Sequence, residues 1–327
     1  MLDAAVRTIF GDTPTLEVLV ENSDYTFAHE AGVFIPSDVG DTLYVTSNLI
    51  EDPRTQQKRT RISRLVLPRD GSPARVDEID APGVLLPNGG VNYPGGGIVF
   101  CAQGDKNTPG GLALMETEPP YKSRMLVDKF ISRPFNSPND VVAHNDGSLW
   151  FTDPLYGSEQ GIRPPPRLPQ LVYRFDPNTS SIRVMADGFG RPNGIAFNPD
   201  QTIVYVTDTD WVHGDGSKDD SRVSQIYAFD VKDYSGQPFL INRRVFAMAD
   251  VGVPDGIKTD QNGNVYSGCG DGINIWSPGG VLLGKILIEG GAANFCFGRD
   301  GKLFILNENK TWVAQLGGAT KGALLNI

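Results

Sequence analysis

A pattern of short apolar runs and polar turns repeats six times along the chain. In each copy, a short apolar run is followed by a turn rich in glycine or aspartate, and then by a run rich in β-branched and aromatic residues. The copies span residues 30–47, 89–103, 138–153, 192–208, 254–269 and 293–307. A repeat of about 40–60 residues with several strands is typical of a β-propeller. The pattern therefore predicts an all-β fold, and helical periodicity is weak throughout.

Two further strand-like runs follow most copies, as at residues 171–175 and 182–186. Four antiparallel strands in each of six units correspond to six propeller blades. The last copy is followed by one clear strand, residues 311–316, and a glycine-rich tail. We expect the isolated strand Thr15–Glu21 to supply the missing outer strand and close the ring; the alternative is an independent N-terminal arm. Residues 1–327 would then form a single six-bladed domain.

The long polar segments all follow the second strand of a unit. They span residues 48–60, 104–110, 154–169 and 208–222, whereas the turns between the first and second strands are short. Because neighbouring strands are antiparallel, these long loops share a face with the starts of the first strands. That face is the expected location of a functional site.

Three copies begin with almost the same residues, proline followed by Asn139, Asn193 or Asp255. Equivalent positions in a closed ring face one axis, and Glu30 stands at the corresponding place in the first copy. Two carboxylates and two amide oxygens suit Ca²⁺, with Mg²⁺ or Mn²⁺ next. The alternative is that asparagine and aspartate serve here only as turn formers. Glutamate is a poor turn residue, so that alternative does not explain Glu30.

Charge and hydropathy narrow the classes of partner. The formal net charge is −10, which argues against binding to nucleic acid. No apolar run is long enough for a membrane span. The first ten residues lack the apolar core of a signal peptide, which favours a cytoplasmic protein, or a secreted one from which a signal peptide has been removed. The oligomeric state cannot be read from the sequence.

Histidine and cysteine are scarce. His29, His144 and His213 are too few for a histidine-rich zinc site, and no Gly-x-Ser-x-Gly elbow indicates a serine triad. The three cysteines are far apart, and we expect them to be buried free thiols.

Three segments resemble a known family. They read FNSPNDVVAHNDGSLWFTDPLYG (residues 135–157), RPNGIAFNPDQTIVYVTDT (191–209) and VPDGIKTDQNGNVYSGCGDGINIWSPGGVLLGKI (253–286). They are similar to the gluconolactonase, senescence-marker-protein and luciferin-regenerating-enzyme family, above all to its gluconolactonase and fungal lactonohydrolase branch. The resemblance covers roughly residues 25–307.

The resemblance implies a six-bladed propeller with one divalent cation at the top of the central channel. The implied ligands are Glu30, Asn139, Asn193 and Asp255, and the implied reaction is hydrolysis of a small-molecule lactone. We expect Ca²⁺, with Mg²⁺, Mn²⁺ or Zn²⁺ as alternatives. The cation would polarise the lactone carbonyl, and a carboxylate would take the proton from the attacking water. Asp255 is the first candidate for that base, and Asp140 is the second.

Loop residues are the candidates for contact with substrate. We expect Gln103, Tyr156 and Trp211 to reach towards the cation, although Tyr156 and Trp211 could instead pack under their own loops. Related lactonases often have a histidine at the position of Gln103. The alternative functions are hydrolysis of another ester, such as a phosphotriester or a polyketide lactone, and a non-enzymatic propeller that binds a metal or a partner.

Overall fold

The computed structural model describes residues 2–325 and 327, and within them 28 strands and two short helices occur. The helices are α1 (Leu2–Phe10) and α2 (Tyr156–Glu159). The first strands are β1 (Thr15–Glu21), β2 (Glu30–Ile35), β3 (Asp41–Thr46), β4 (Ile50–Glu51), β5 (Lys58–Arg59), β6 (Ile62–Leu67), β7 (Arg75–Ile79), β8 (Pro87–Asn92), β9 (Ile98–Ala102), β10 (Gly111–Met115), β11 (Ser123–Val127), β12 (Lys129–Phe130) and β13 (Arg133–Pro134). The others are β14 (Val141–Ala143), β15 (Leu149–Asp153), β16 (Leu171–Asp176), β17 (Ser181–Ala186), β18 (Pro192–Phe197), β19 (Ile203–Asp208), β20 (Gln225–Tyr234), β21 (Gln237–Met248), β22 (Ile257–Thr259), β23 (Val265–Cys269), β24 (Gly272–Trp276), β25 (Leu282–Leu287), β26 (Asn294–Phe297), β27 (Lys302–Asn307) and β28 (Lys310–Gln315).

Six four-stranded antiparallel sheets form the blades of a propeller. From the centre outwards, their orders are β2-β3-β6-β7, β8-β9-β10-β11, β14-β15-β16-β17, β18-β19-β20-β21, β22-β23-β24-β25 and β26-β27-β28-β1. Each innermost strand contacts the innermost strands of both neighbouring blades, so the ring is closed. The predicted fold is confirmed, with each of the six sequence copies supplying the inner two strands of one blade.

The N-terminal strand closes the ring, as predicted. Strand β1 pairs antiparallel with β28, with Thr15 opposite Gln315 and Glu21 opposite Lys310. This pairing covers what would otherwise be an open edge of the last blade.

Apolar side chains fill the spaces between neighbouring blades. Between blades 2 and 3, the rings of Phe151 and Tyr173 stack at 5.3 Å, and Phe135 meets Phe151 edge-on at 5.2 Å. Val99 and Cys101 of blade 2 pack against this group. All three cysteines of the chain are buried and free, as expected. Such interfaces make the ring a rigid support for the loops on its faces.

Helix α1 was not predicted from the sequence. Its Ile9 is buried in the core of blades 5 and 6, and Phe10 packs against the same core. The backbone carbonyl of Ile9 accepts hydrogen bonds from the Gly317 amide and the Thr320 hydroxyl. The helix is too short to have a clear period, and it is stabilised by these tertiary contacts. No helix among residues 2–325 is long and apolar enough to cross a membrane.

Removal of β1 tests the closure. We expect deletion of residues 1–21 to lower Tm by about 10 °C or more, because Leu16, Leu19 and Val20 leave the core and each contributes about 1–2 kcal/mol. Deletion of residues 1–12 keeps β1 and is the comparison, measured by calorimetry. If both deletions lower Tm equally, the strand contributes nothing beyond the helix.

Candidate functional site

The starts of four inner strands bring oxygen-bearing side chains to one cleft. Glu30 is the first residue of β2 and Asn193 the second of β18, whereas Asn139 and Asp255 lie two residues before β14 and β22. All four line a cleft of about 310 Å³ on the central axis. Glu30, Asn139 and Asn193 are buried, and Asp255 is half-buried. The structure thus brings together the four residues that the sequence singled out.

Threonines of the second strands hold the backbone of this ring. The hydroxyl of Thr152 donates to the Asn193 carbonyl at 2.6 Å, and that of Thr207 donates to the Asp255 carbonyl at 3.0 Å. Each threonine belongs to the blade before the residue that it holds. Both threonines belong to a Thr-Asp pair at the end of a second strand, Thr152-Asp153 in β15 and Thr207-Asp208 in β19. This repeated pair is a signal in the sequence that the predictions above did not use.

Glycine allows the inner strands to approach closely. A Cβ atom on Gly89 would lie 2.5 Å from the Asn139 carbonyl oxygen, and one on Gly194 would lie 2.5 Å from the Asp255 carbonyl oxygen. Such distances are well below van der Waals contact. Larger residues at either position would push apart the strands that carry the oxygen donors.

Among the described residues that line the cleft, four buried side-chain oxygens have no hydrogen-bond partner. One is Oε1 of Gln160, and the other three belong to predicted cation ligands: Oδ1 of Asn139, Oδ1 of Asn193 and Oδ1 of Asp255. Glu30 differs, because its Oε2 accepts a hydrogen bond of 2.7 Å from Asn294 Nδ2. Buried polar atoms are rarely left unpaired, and convergent unpaired oxygens are the arrangement that a hard cation needs.

The carboxylates of the cleft repel each other. Burial, together with the negative charge of Asp255, raises the pKa of Glu30 to about 8. Burial, with the charges of Glu308 and Asp140, raises the pKa of Asp255 to about 6 despite the nearby His29. A divalent cation between these groups would relieve the repulsion and restore both to the charged form.

The donor set is two carboxylates and two amides. Among the described residues, no three side chains of histidine, cysteine, aspartate or glutamate come together as a metal cluster. A cation in the cleft would therefore depend on the amide oxygens of Asn139 and Asn193 as well as on Glu30 and Asp255. This donor chemistry fits Ca²⁺ and Mg²⁺ better than a soft metal.

Asp140 lies beside the cleft and does not line it. Its Oδ1 accepts a hydrogen bond from the Val141 amide at 2.9 Å, and its Oδ2 accepts one from the Ile195 amide at 3.2 Å. It is buried, and it ties blade 3 to blade 4. Of the two candidate bases, Asp255 is the one that faces the cleft.

The three predicted substrate contacts differ in their placement. Gln103 and Tyr156 line the cleft, and the Tyr156 hydroxyl is hydrogen-bonded to that of Thr209. Trp211 is not among the lining residues. Its indole nitrogen donates to Asp220 at 2.8 Å, and the Lys218 ammonium lies 4.8 Å from its ring centre. Trp211 therefore packs within its own loop.

His29 and His213 both line the cleft, although no pattern in the sequence predicted a histidine at the site. The Nδ1 atom of His29 donates to Glu308 Oε1 at 2.6 Å. Burial alone would lower the pKa of His29, but Glu308 raises it to about 10, so the ring carries a proton. Glu308 follows the last inner repeat, and nothing in the local pattern indicates that it meets His29.

An ion-pair cluster joins the loops of blades 3 and 4 above the cleft. The guanidinium of Arg191 pairs with Glu159 at the end of α2 and with Asp210 in the next loop. Glu159 Oε2 also accepts a hydrogen bond from the Gly214 amide at 2.7 Å. We call Arg191, Glu159 and Asp210 the loop clamp. It connects the helix that carries Tyr156 to the loop that carries His213.

A second contact crosses the mouth of the cleft. Lys58 lies on β5, in a small hairpin formed by β4 and β5. Its ammonium donates to the backbone carbonyl of Gln160 at 2.8 Å. The loop of blade 1 thereby touches the loop of blade 3 and narrows the entrance.

A family model confirms the resemblance found in the sequence. The model for the SMP-30/gluconolactonase/LRE-like region matches residues 67–309. The chain belongs to this family. The matched region includes Asn139, Asn193 and Asp255, whereas Glu30 lies before it.

One curated relative from this family aligns with nearly the whole chain, and another aligns with a little over half of it. Lactonohydrolase oryL of Aspergillus oryzae is 25% identical, over 98% of this chain and 74% of its own length. A gluconolactonase of Zymomonas mobilis is 32% identical, over 60% of this chain and 55% of its own length.

Solved structures share the fold over nearly the whole chain. A gluconolactonase from Xanthomonas campestris has a TM-score of 0.73 at 30% identity, and the comparison covers 96% of this chain and 93% of that one. The calcium-binding protein regucalcin from Agrobacterium tumefaciens has a TM-score of 0.68 at 18% identity, covering 94% and 95% of the two chains.

Proposed function

We propose that this chain hydrolyses a small-molecule lactone and that Glu30, Asn139, Asn193 and Asp255 hold a divalent cation, Ca²⁺ in the first place. The observation that supports this most is that the unpaired buried Oδ1 atoms of Asn139, Asn193 and Asp255 lie in one cleft with Glu30. The pKa values of both carboxylates, Glu30 and Asp255, are raised. Two relatives named for their activity are a lactonohydrolase and a gluconolactonase, both hydrolases of cyclic esters.

The residues of the cleft have two proposed roles, which are binding of the cation and transfer of a proton. When bound, the cation supplies Lewis acidity for the lactone carbonyl. Asp255 takes the proton of the attacking water through the carboxylate oxygen that does not bind the cation. The water oxygen adds to the carbonyl carbon, the ring C–O bond breaks, and the ring oxygen takes the proton held by Asp255 and leaves as a hydroxyl, which gives a hydroxy acid. Asp140 keeps Asn139 and blade 4 in position.

Binding of substrate falls to the loops. Gln103 offers an amide, and Tyr156 offers a ring and a hydroxyl; both line the cleft. The remaining lining is rich in polar side chains such as Asn48, Asn88 and Gln160. A ligand with several hydrogen-bonding groups would match this lining better than a purely apolar one.

A lactone panel tests the proposal. Aldonolactones, small aliphatic lactones, aryl esters and a phosphotriester are offered to the full-length chain, and acid release is measured. We expect turnover of at least one lactone, its loss in the presence of a chelator, and its return with Ca²⁺, Mn²⁺, Zn²⁺ or Mg²⁺. Turnover of only the phosphotriester would show a different esterase, and no cation-dependent turnover of any substrate would favour a binding propeller.

Gln103 provides a narrower test of specificity. We expect Gln103→His to change the ratio of kcat/KM for two lactones by about tenfold, because an imidazole replaces the amide at a buried hydrogen-bonding position. Cation affinity should stay at the parental value. Gln57→His, at an exposed position of the β4–β5 hairpin loop, is the control. An unchanged ratio would show that Gln103 does not touch the substrate.

A further inference from the structure

A second and larger cavity lies at the opposite end of the central channel. Its volume is about 420 Å³, compared with 310 Å³ for the cleft. All six inner strands contribute to its wall, and residues 322–325 of the C-terminal segment lie across its mouth. The proposed reaction makes no use of this cavity.

We call this second cavity the lower cavity, and its wall is mainly apolar. Phe34 comes from blade 1, Val141 from blade 3, and Ile195 and Phe197 from blade 4, and all four side chains are buried. Among the described residues that line the cavity, none is aspartate or glutamate, although the chain carries a formal net charge of −10. The cavity therefore suits a ligand with an apolar body, and it carries none of the negative charge found elsewhere.

One ammonium group enters this apolar wall. Lys258 is the one lysine or arginine among the described lining residues. Its Nζ lies 3.4 Å from Asn294 Oδ1 and 6.0 Å from the centre of the Phe295 ring. Within residues 2–325 and 327, no carboxylate comes within 4.0 Å of this nitrogen, although its charge acts from a longer distance on the buried Asp140 carboxyl. An ammonium has three donors, so at least two remain for a ligand.

We propose that the lower cavity binds a small monocarboxylic acid with an apolar body. The carboxylate pairs with Lys258, and the hydrocarbon part packs against Phe34 and Phe197. The volume is within the range of about 300–1,000 Å³ that is usual for small-molecule sites. A charge-assisted hydrogen bond in an apolar setting is stronger than one at the surface.

Other classes of ligand match the cavity less well. A neutral apolar molecule would cover the half-buried Lys258 ammonium without offering it a hydrogen-bond acceptor, which costs free energy. A phosphate dianion needs more than one cationic partner to balance its charge, and the described wall has a single lysine. The C-terminal segment is tied down by the Ala323 amide, which donates to the Thr259 carbonyl at 2.9 Å. A tied segment across the mouth admits a small molecule more readily than a protein.

Direct binding to the full-length chain tests this site. Benzoate and hexanoate are the probes, and benzyl alcohol and hexanol are their uncharged counterparts of similar size. Binding is followed by calorimetry and by ligand-observed NMR, with a chelator present so that no cation in the upper cleft can bind the acids. We expect both acids to bind, and both alcohols to bind at least about tenfold more weakly, as the loss of one charge-assisted hydrogen bond predicts.

Variants of Lys258 assign the binding to this cavity. Lys258→Met should lower the affinity for the two acids by about tenfold or more and should leave the affinity for the two alcohols unchanged. If that variant does not fold, Lys258→Gln replaces it, because glutamine keeps the polarity without the charge. Lys232→Met, at an exposed position of β20, is the control and should bind like the parent. Equal binding of acids and alcohols, or parental acid binding by the Lys258 variant, would overturn the proposal. Since a chelator is present throughout, neither result depends on lactone hydrolysis.

Discussion

Asp255→Asn is expected to lose at least about 100-fold in cation affinity and in kcat/KM, more than any exchange of an amide donor in the same cleft. Asp255 supplies one of the two carboxylates that balance a divalent charge, and its Oδ1 has no other partner. Even the loss of a residue that only hydrogen-bonds to a metal ligand commonly lowers metal affinity or activity by about 10–100-fold. Cation affinity is measured by calorimetry on chelator-treated protein, and turnover is measured with the best lactone of the panel.

Asn193→Asp is the matched comparison for this change. It keeps an oxygen at the same place and adds a negative charge, so cation affinity should hold or increase. Asp271→Asn is the control for surface charge, because Asp271 pairs with Lys285 on the outer part of blade 5. If Asp255→Asn binds the cation as tightly as the parent, the proposed ligand set is wrong. If it keeps the cation and loses only turnover, Asp255 serves as the base alone.

The ring of oxygen donors was predictable because the repeats superimpose. Asn139, Asn193 and Asp255 follow proline at equivalent positions, so a closed ring must direct them to one axis. The length and chemistry of the loops were also visible, and Gln103 and Tyr156 were chosen from them. Local pattern therefore determines both the number of blades and the floor of the cleft.

Contacts between side chains that are far apart in the sequence could not be predicted from local patterns. His29 meets Glu308 across 279 positions of the chain, and Arg191 meets Glu159 across 32 positions. The direction of the Trp211 side chain could not be predicted either. Trp211 lies in an irregular loop of 15 residues, which has no helical or strand periodicity to fix the direction of a side chain. Its neighbour Asp220 accepts the indole N–H, and this short-range pairing turns the ring away from the cleft.

Helix α1 was missed for a related reason. Nine residues carry too little periodicity, and the helix exists because Ile9 enters a core made by blades 5 and 6. Propensity alone does not stabilise so short a helix.

Arg191→Met is expected to raise KM by about 10-fold or more while cation affinity stays at the parental value. The guanidinium is buried between Glu159 and Asp210, and its removal leaves Glu159 without a counter-ion and Asp210 with only the exposed Arg222. Breaking a buried ion pair in this way costs about 3–5 kcal/mol. That cost falls on the loop clamp, so Tyr156 and His213 lose their fixed positions. The four oxygen donors lie on or next to the starts of inner strands, and the backbone of Asn193 and Asp255 is held by Thr152 and Thr207, which are not part of the clamp.

The comparison with a neighbouring arginine separates the clamp from a general loss of charge. Arg222 also approaches Asp210, at 3.7 Å, but its side chain is 59% exposed. Such an exposed pair contributes about 0–1 kcal/mol, so Arg222→Met should keep KM within about twofold of the parent. Adding Glu159→Gln to Arg191→Met removes the negative charge of Glu159, which has lost its partner. The double variant should therefore reverse part of the increase in KM. Parental KM in Arg191→Met would show that the loops hold their positions without the clamp. A fall in cation affinity would show that the change had reached the oxygen donors through Tyr156, whose hydroxyl interacts with the Asn193 side chain.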